Sequence, residues 1–127
     1  MKKFYSYCFY LPLLLGCFTA TAQNTDLSVR FAAGNFITGS NIQKQSFQKE
    51  SLQASLFNGS YFVLVQFSTL PSLQKQNELR NAGCDLQTYI PGNAYLAAIK
   101  NSFSFAGASS FNIISINNIP TLYKKDI

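Results

Sequence analysis

Residues 89–99 read YIPGNAYLAAI, and they decide the fold because they join two strand-forming runs through a short turn. Residues 84–90 alternate apolar and polar side chains, which is typical of a half-buried strand. The turn residues 91–93 are Pro-Gly-Asn, and residues 94–100 return as a second strand. This stretch therefore predicts a β-hairpin with a short, glycine-containing loop.

A strand and a helix precede this hairpin. Residues 61–67, YFVLVQF, are β-branched, aromatic or leucine except for Gln66, which favours a central strand that is apolar on both faces. Pro71 stops the strand and is compatible with the first turn of a helix. Residues 72–82 are helix formers, and Gly83 is able to end the helix with a positive φ.

A helix and a strand are also expected after the hairpin. Residues 101–111 carry a diluted helical pattern with Ser102 as N-cap, and the isoleucine-rich run 113–119 predicts a last strand that closes at Pro120. The predicted order is therefore strand, helix, strand, strand, helix, strand. This order is typical of the ferredoxin-like α+β fold, βαββαβ, with an antiparallel four-stranded sheet and two helices on one face. We expect the other face of the sheet to be open for a partner.

Residues 1–22 have the three parts of a signal peptide. They begin with lysines, continue with an apolar middle and end in Ala-Thr-Ala, so we expect cleavage after Ala22 and export to the periplasm or the medium. A membrane anchor is disfavoured because Pro12 interrupts the apolar stretch and polar residues follow it directly. Lipid attachment at Cys17, which follows a loose lipobox, is the weaker alternative for this segment.

The remaining chain divides into a leader, a domain and a tail. Residues 23–59 are rich in polar residues and are interpreted as a partly irregular leader that ends at an Asn-Gly turn signal. Residues 60–120 form the predicted ferredoxin-like domain, and residues 121–127 form a C-terminal tail. A domain of this size buries only about 60% of its unfolded-chain surface, so we expect it to gain stability by docking on a partner.

The composition argues against an enzyme. There is no histidine, which excludes Ser-His-Asp and Cys-His catalytic arrangements and any imidazole-bearing zinc site. The glycines form no phosphate-binding motif, and we expect neither a metal nor a cofactor. No two acidic residues of the processed chain fall on one predicted face; they are Asp26, Glu50, Glu78, Asp85 and Asp126.

The cysteine count and the net charge bear on disulfide formation and on the kinds of partner to be expected. Removal of residues 1–22 leaves Cys84 as the only thiol, so no intramolecular disulfide can form. We expect the Cys84 side chain to be buried. The same removal leaves eight basic and five acidic residues, a net charge of +3 instead of +5. The basic residues are scattered apart from one pair near the C-terminus, so we expect no nucleic-acid partner and no stable membrane span.

The order of these motifs resembles a known family. The succession YFVLVQF, LP, LRNAG, YIPGNAYLAAI and IISINNIP is similar to the N-terminal prodomain of secreted bacterial subtilisin-like serine proteases, which is related to the I9 inhibitor fold. The likeness runs from about Gly34 through Tyr123. In that family the prodomain is a ferredoxin-like unit that assists folding of the protease and inhibits it until it is cleaved away.

The resemblance implies where a partner binds. In the family, the sheet packs on the protease surface and the segment after the last strand lies in the active-site cleft. It therefore implies docking of a subtilisin-like catalytic domain, in trans or in cis in a full-length form, on the sheet formed by Tyr61–Phe67, Cys84–Ile90 and Ala94–Ile99. The candidate partner-binding residues are Tyr61, Tyr89, Tyr95, Leu122 and Tyr123.

Several functions remain open at this point. Family members continue into a catalytic domain whereas this chain stops at Ile127, so we expect a non-catalytic inhibitor or folding assistant, or a truncated protease precursor. One alternative is an exported module that binds a peptide or glycan through exposed tyrosines. Another is a fragment without a function. Packing in the core and at the sheet edge is the competing explanation for the tyrosines.

Overall fold

A computed structural model of the protein describes residues 26–42 and 47–126. The predicted signal peptide and the alternative lipid site at Cys17 lie outside these residues. The strands are β1 Ser28–Phe31, β2 Gly34–Ile37, β3 Leu56–Phe57, β4 Ser60–Phe67, β5 Cys84–Ile90, β6 Ala94–Lys100 and β7 Ile113–Asn118. The helices are α1, Leu73–Ala82, and three short 3₁₀ helices at Lys49–Ser55, Phe105–Phe111 and Thr121–Asp126.

The main sheet is antiparallel and has the predicted topology. Strand β4 pairs with β6 from Ser60↔Lys100 to Gln66↔Ala94, and β5 pairs with the other edge of β6. Strand β7 pairs with the free edge of β4, and the two-residue β3 continues that edge beside Tyr61. The order of the four long strands is therefore β7-β4-β6-β5, which confirms the ferredoxin-like α+β arrangement.

Helix α1 begins and ends as its sequence predicts. The Ser72 hydroxyl accepts a hydrogen bond from the Lys75 N–H at 3.3 Å, and Gly83 adopts φ 100° at the C-terminus. Leu79 is buried, whereas Leu73 is exposed. Six positions along a helix leave two side chains about 120° apart around the axis, so burial of Leu79 turns Leu73 towards water.

The second predicted helix is shorter and tighter than expected. Residues 105–111 form a 3₁₀ helix, preceded by Ser104 instead of Ser102 and ended by Asn112 at φ 62°. Serine and glycine in this stretch have low helix propensity, which leaves burial of Phe103 and Ala108 to hold it against the sheet.

The helix-side face of the sheet carries the larger core. Alternate residues of β4 point into it and meet Leu79 of α1 and Ala108 of the second 3₁₀ helix. Its buried members from the strands are Tyr61, Val63, Val65, Phe67, Cys84, Ala97, Ile99, Ile113 and Ile116. Cys84, the one cysteine within residues 26–42 and 47–126, is a free thiol buried in this core.

The opposite face of the sheet is not open throughout. Strands β1 and β2 form an antiparallel hairpin, paired from Ser28↔Ile37 to Phe31↔Gly34. Val29 of this hairpin packs against Leu64 and Leu96 of the sheet, with Ile90 and Ala94 in the same cluster. The expectation of a fully open face is therefore wrong for this half, because residues 28–37 of the predicted leader form a hairpin whose apolar side covers it.

A β-bulge breaks the alternation that the sequence showed in β5. The pairing with β6 shifts between Leu86 and Thr88, which leaves Gln87 without a partner position. Cys84 and Leu86 therefore contact the helix-side core, whereas Ile90 contacts the hairpin. Period-two alternation alone had placed all three on one face.

Candidate partner-binding surface

A buried glutamine attaches the N-terminal hairpin to the sheet. Gln66 of β4 is completely buried, and its Oε1 accepts a hydrogen bond from the Thr38 hydroxyl just after β2. Its Nε2 donates to the carbonyl oxygens of Gly92, at 2.9 Å, and Asp26, at 3.3 Å. A buried amide is costly unless it is hydrogen-bonded, so these contacts stabilise one position of the hairpin on the sheet.

The turn between β5 and β6 is the second attachment point. The Arg30 N–H of β1 donates to the Pro91 carbonyl oxygen at 2.8 Å. Gly92 has φ 109°, and a Cβ there would collide with the Ser28 carbonyl oxygen and lie 3.0 Å from the Cα of Val29. Only glycine allows both this backbone conformation and the close approach of β1. The Pro-Gly-Asn turn therefore receives the protein's own N-terminal strand.

The C-terminal segment also packs on the hairpin. The ring of Tyr123, in the last 3₁₀ helix, stacks on Phe31 at a centroid distance of 4.8 Å and lies 6.0 Å from Phe36. Its hydroxyl donates to the Asn35 carbonyl oxygen at 3.2 Å. Tyr123 thus links the tail to the N-terminal hairpin, and Leu122 beside it remains 67% exposed.

The other half of this face has no cover among the described residues. Phe62 points to the same side as Leu64, which the hairpin covers, but the Phe62 side chain is 41% exposed. Phe57 of β3 lies beside it, with ring centroids 6.5 Å apart, and is 70% exposed. Large apolar side chains that are grouped and exposed mark candidate contact surfaces.

Two grooves flank this aromatic pair. The apolar groove has a volume of about 540 Å³, and its lining residues are Ala54, Ser55, Leu56, Phe57, Phe62, Ile119 and Lys124. The charged groove has a volume of about 380 Å³, and its lining residues are Ser60, Arg80, Gly83, Asp85, Ala98 and Lys100. We call Phe57, Phe62 and the two grooves the uncovered surface.

The buried thiol and the acidic residues lie outside any metal-binding cluster in the described part of the chain. Burial, with a smaller contribution from Asp85, raises the pKa of the Cys84 thiol to about 12, so the reactive thiolate is scarce near neutral pH. In residues 26–42 and 47–126, no cluster of three or more histidine, cysteine or acidic side chains is placed to hold a metal ion. Within the same ranges, no helix is both long and apolar enough to cross a membrane.

A family model with the description "Domain of unknown function (DUF8729)" matches residues 30–120. The chain belongs to this family. Searches of curated proteins and of solved structures returned no match. The DUF8729 match begins at Arg30 within β1 and ends at Pro120 after β7, so most of the N-terminal hairpin is part of the family's unit along with the sheet.

The structure of this DUF8729 domain brings only two of the candidate tyrosines together. Tyr89 and Tyr95 face each other on β5 and β6 with ring centroids 5.4 Å apart, and Tyr89 is 47% exposed at the sheet edge. Tyr61 is only 3% exposed and contacts the ring of Phe105 in the helix-side core. Leu122 and Tyr123 lie in the tail, away from the tyrosine pair on the sheet.

Residues of the uncovered surface did not stand out in the sequence. Phe62 is one letter in a seven-residue apolar run, and Phe57 and Ile119 lie next to turn residues. One signal was present: if helices cover one face of the sheet, a strand that is apolar on both faces needs a second cover for its other face. The hairpin provides that cover for Leu64 but not for Phe62.

Proposed function

We propose that this DUF8729 protein is a non-catalytic, exported domain of the propeptide type that inhibits a subtilisin-like protease or assists its folding. The observation that carries the proposal is the uncovered surface, where Phe57 and Phe62 are exposed beside the apolar groove. The ferredoxin-like strand order and the ordered motifs support it further. The chain has no histidine, and we assign any catalysis to the partner.

The position of the N-terminal hairpin limits where a partner would dock. The N-terminal hairpin already covers the half of the sheet around Leu64 and Gln66, so the partner contacts the half around Phe62. Tyr61 is buried on the opposite, helix-side face, so it stabilises β4 and does not contact the partner directly. Burial of exposed aromatic rings contributes strongly to protein association, and we expect Phe62 to be the main anchor.

The proposal is tested by inhibition and by refolding. The protein is purified after expression of the whole chain and added to subtilisin-like proteases, and peptide hydrolysis and recovery from denaturant are measured. We expect slower hydrolysis or faster refolding at micromolar concentrations. Absence of both effects across a panel of subtilisin-like proteases would contradict the proposal.

A matched pair of variants locates the contact. Phe62→Ser and Leu73→Ser each remove an exposed apolar side chain, but Leu73 lies on α1, away from the two grooves. We expect Phe62→Ser to weaken inhibition at least about tenfold, which corresponds to about 1.4 kcal/mol. Leu73→Ser is expected to leave inhibition unchanged, and equal losses for both variants would place the contact elsewhere.

Export is a separate part of the proposal. It depends on the pattern of residues 1–22, and cleavage after Ala22 would leave Gln23 as the first residue. Mass spectrometry of the protein from the producing cell is expected to show a chain that begins at Gln23. A chain that begins at Met1 would contradict cleavage, and a lipid-modified Cys17 would establish the anchored alternative.

A further inference from the structure

The uncovered surface has positive charge on both sides of its apolar centre. Lys124 lines the apolar groove, together with Phe57 and Phe62. Lys100 lines the charged groove and follows Ala98 on the same face of β6. No ion pair involves either lysine among the described residues.

Three acidic side chains of the described chain have partners other than these two lysines. Asp85 lines the charged groove, but its carboxylate lies 3.0 Å from the Arg80 guanidinium and is neutralised by it. Glu78 pairs with Lys75 at 2.7 Å on α1, and Asp26 accepts the Ser28 N–H next to the N-terminal hairpin. The lining residues of the two grooves therefore carry an excess of positive charge.

We propose that the uncovered surface recognises a segment of a protein partner in which an apolar side chain is flanked by acidic side chains. The apolar side chain would occupy the apolar groove beside Phe62, and the carboxylates would approach Lys124 and Lys100. This inference rests on the proposed function and specifies the part of the protease that docks. Charge complementarity of this kind sets specificity and association rate more than affinity.

The same charges argue against two other occupants. A second copy placed on this surface by two-fold symmetry would bring like-charged lysines together around the aromatic rings. A membrane surface is flat, whereas the apolar groove is a concavity of about 540 Å³ with Phe57 and Ile119 among its lining residues. A single inserted side chain with acidic neighbours matches both the concavity and the charge.

Three short synthetic peptides test the charge preference. Each has a central phenylalanine flanked by glutamates, by serines or by lysines, and binding to protein purified after expression of the whole chain is measured by fluorescence anisotropy. We expect the glutamate-flanked peptide to bind at least about tenfold more tightly than the lysine-flanked one, with a preference that shrinks as salt is raised. Equal affinities of the three peptides, or no binding of any of them, would overturn the inference.

Charge reversal provides the matched variants. Lys100→Glu with Lys124→Glu is expected to reverse the peptide preference. Arg30→Glu with Lys75→Glu makes the same change in net charge outside the lining of the two grooves and is expected to leave the preference as it was. If both double variants behave alike, net charge and not this surface sets the preference, and the inference fails.

Two further measurements separate this inference from the proposed function. Protease inhibition that needs Phe62 but survives the Lys100 and Lys124 reversal would leave the proposed function standing and overturn the acidic-partner inference. Absence of inhibition, together with selective glutamate-peptide binding, would overturn the proposed function alone. Sedimentation with phosphatidylglycerol vesicles that depends on Phe62 would identify an anionic membrane as the occupant and would overturn the inference.

Discussion

The two halves of the hairpin-side face of the sheet are built from the same strands, but one half is buried and the other is partly exposed. Around Leu64 and Gln66, the face is closed by β1 and β2 and contains a completely buried amide. Around Phe62, the same strands leave an aromatic ring 41% exposed beside two grooves. The difference shows that burial on this face depends on where the N-terminal hairpin attaches, since the hairpin covers the polar amide of Gln66 and leaves the apolar ring of Phe62 exposed.

The attachment is specific because it uses polar groups. A purely apolar hairpin could slide along the sheet at little cost, whereas the amide of Gln66 must reach the Thr38 hydroxyl and the Gly92 carbonyl oxygen to be satisfied. Displacement of the hairpin would break the contact of this amide with Thr38, and the amide would then be either buried without that partner or exposed to water beside apolar side chains. One half of the face is therefore buried by the fold, whereas the Phe62 side chain in the other half stays partly exposed.

The largest effect is expected at the attachment turn. Gly92→Ala places a Cβ against the Ser28 carbonyl oxygen and forces a left-handed φ on alanine, so unfolding in urea should show a loss of about 2–4 kcal/mol. Gly39→Ala is the matched control, because a Cβ there has open space, and it should change the unfolding free energy by less than about 0.5 kcal/mol. Equal losses for both variants would contradict a close attachment of β1 at Gly92.

The polar contact itself is tested by Gln66→Leu. The change keeps the volume but leaves the Gly92 carbonyl oxygen without its donor, and we expect a loss of about 2 kcal/mol in unfolding free energy. Gln87→Leu, on the exposed bulge of β5, should stay within about 0.5 kcal/mol. Hydrogen exchange of the Arg30 amide, which bonds to Pro91, should accelerate in Gln66→Leu; unchanged exchange would show that the hairpin does not depend on Gln66.

The burial of Cys84 in the helix-side core is tested by measuring the unfolding free energy at different pH values. The pKa of Cys84 is raised by burial from 9.0 to about 12, so from about pH 9 upwards the unfolded chain loses the thiol proton while the folded chain keeps it. The unfolding free energy should therefore fall by up to about 1.4 kcal/mol per pH unit between these two pKa values. Cys84→Ala should show a shallower decline. Identical slopes in the two proteins would mean that Cys84 is not protected and that β5 opens on this side.

The smallest effect is expected on the uncovered surface. Phe57→Ser removes a ring that is 70% exposed, so the unfolding free energy should change by less than about 0.5 kcal/mol. A larger loss in urea unfolding would show that Phe57 stabilises the fold, and the contrast between the two halves of the face would then disappear.

Much of the fold was predictable from local patterns. The β5–β6 hairpin, the cap and glycine stop of α1, and the strand order follow from turn residues, N-cap chemistry and hydrophobic runs that act within a few positions of one another. The second helix was predicted less well, because serine and glycine at residues 105–111 carry little preference and its 3₁₀ form depends on packing.

The candidate surface was predicted only in outline. The sequence indicated that the sheet would offer a face to a partner, but the tyrosines expected on it are divided between the helix-side core, the sheet edge and the tail. A β-bulge at Gln87 changes the side to which later residues of β5 point. Bulges depend on pairing with the neighbouring strand, which alternation within one strand does not encode.

The sequence by itself determined the α+β class, the strand order, the absence of histidine chemistry and the glycine-containing turn between β5 and β6. Each of these depends on composition or on residues close together in the chain. Only the tertiary structure decided that Gln66 meets Thr38 and Gly92 across 28 and 26 positions, and that the N-terminal hairpin covers Leu64 but not Phe62. Such contacts form because long-range burial must satisfy every polar group at once, a condition that no local pattern expresses.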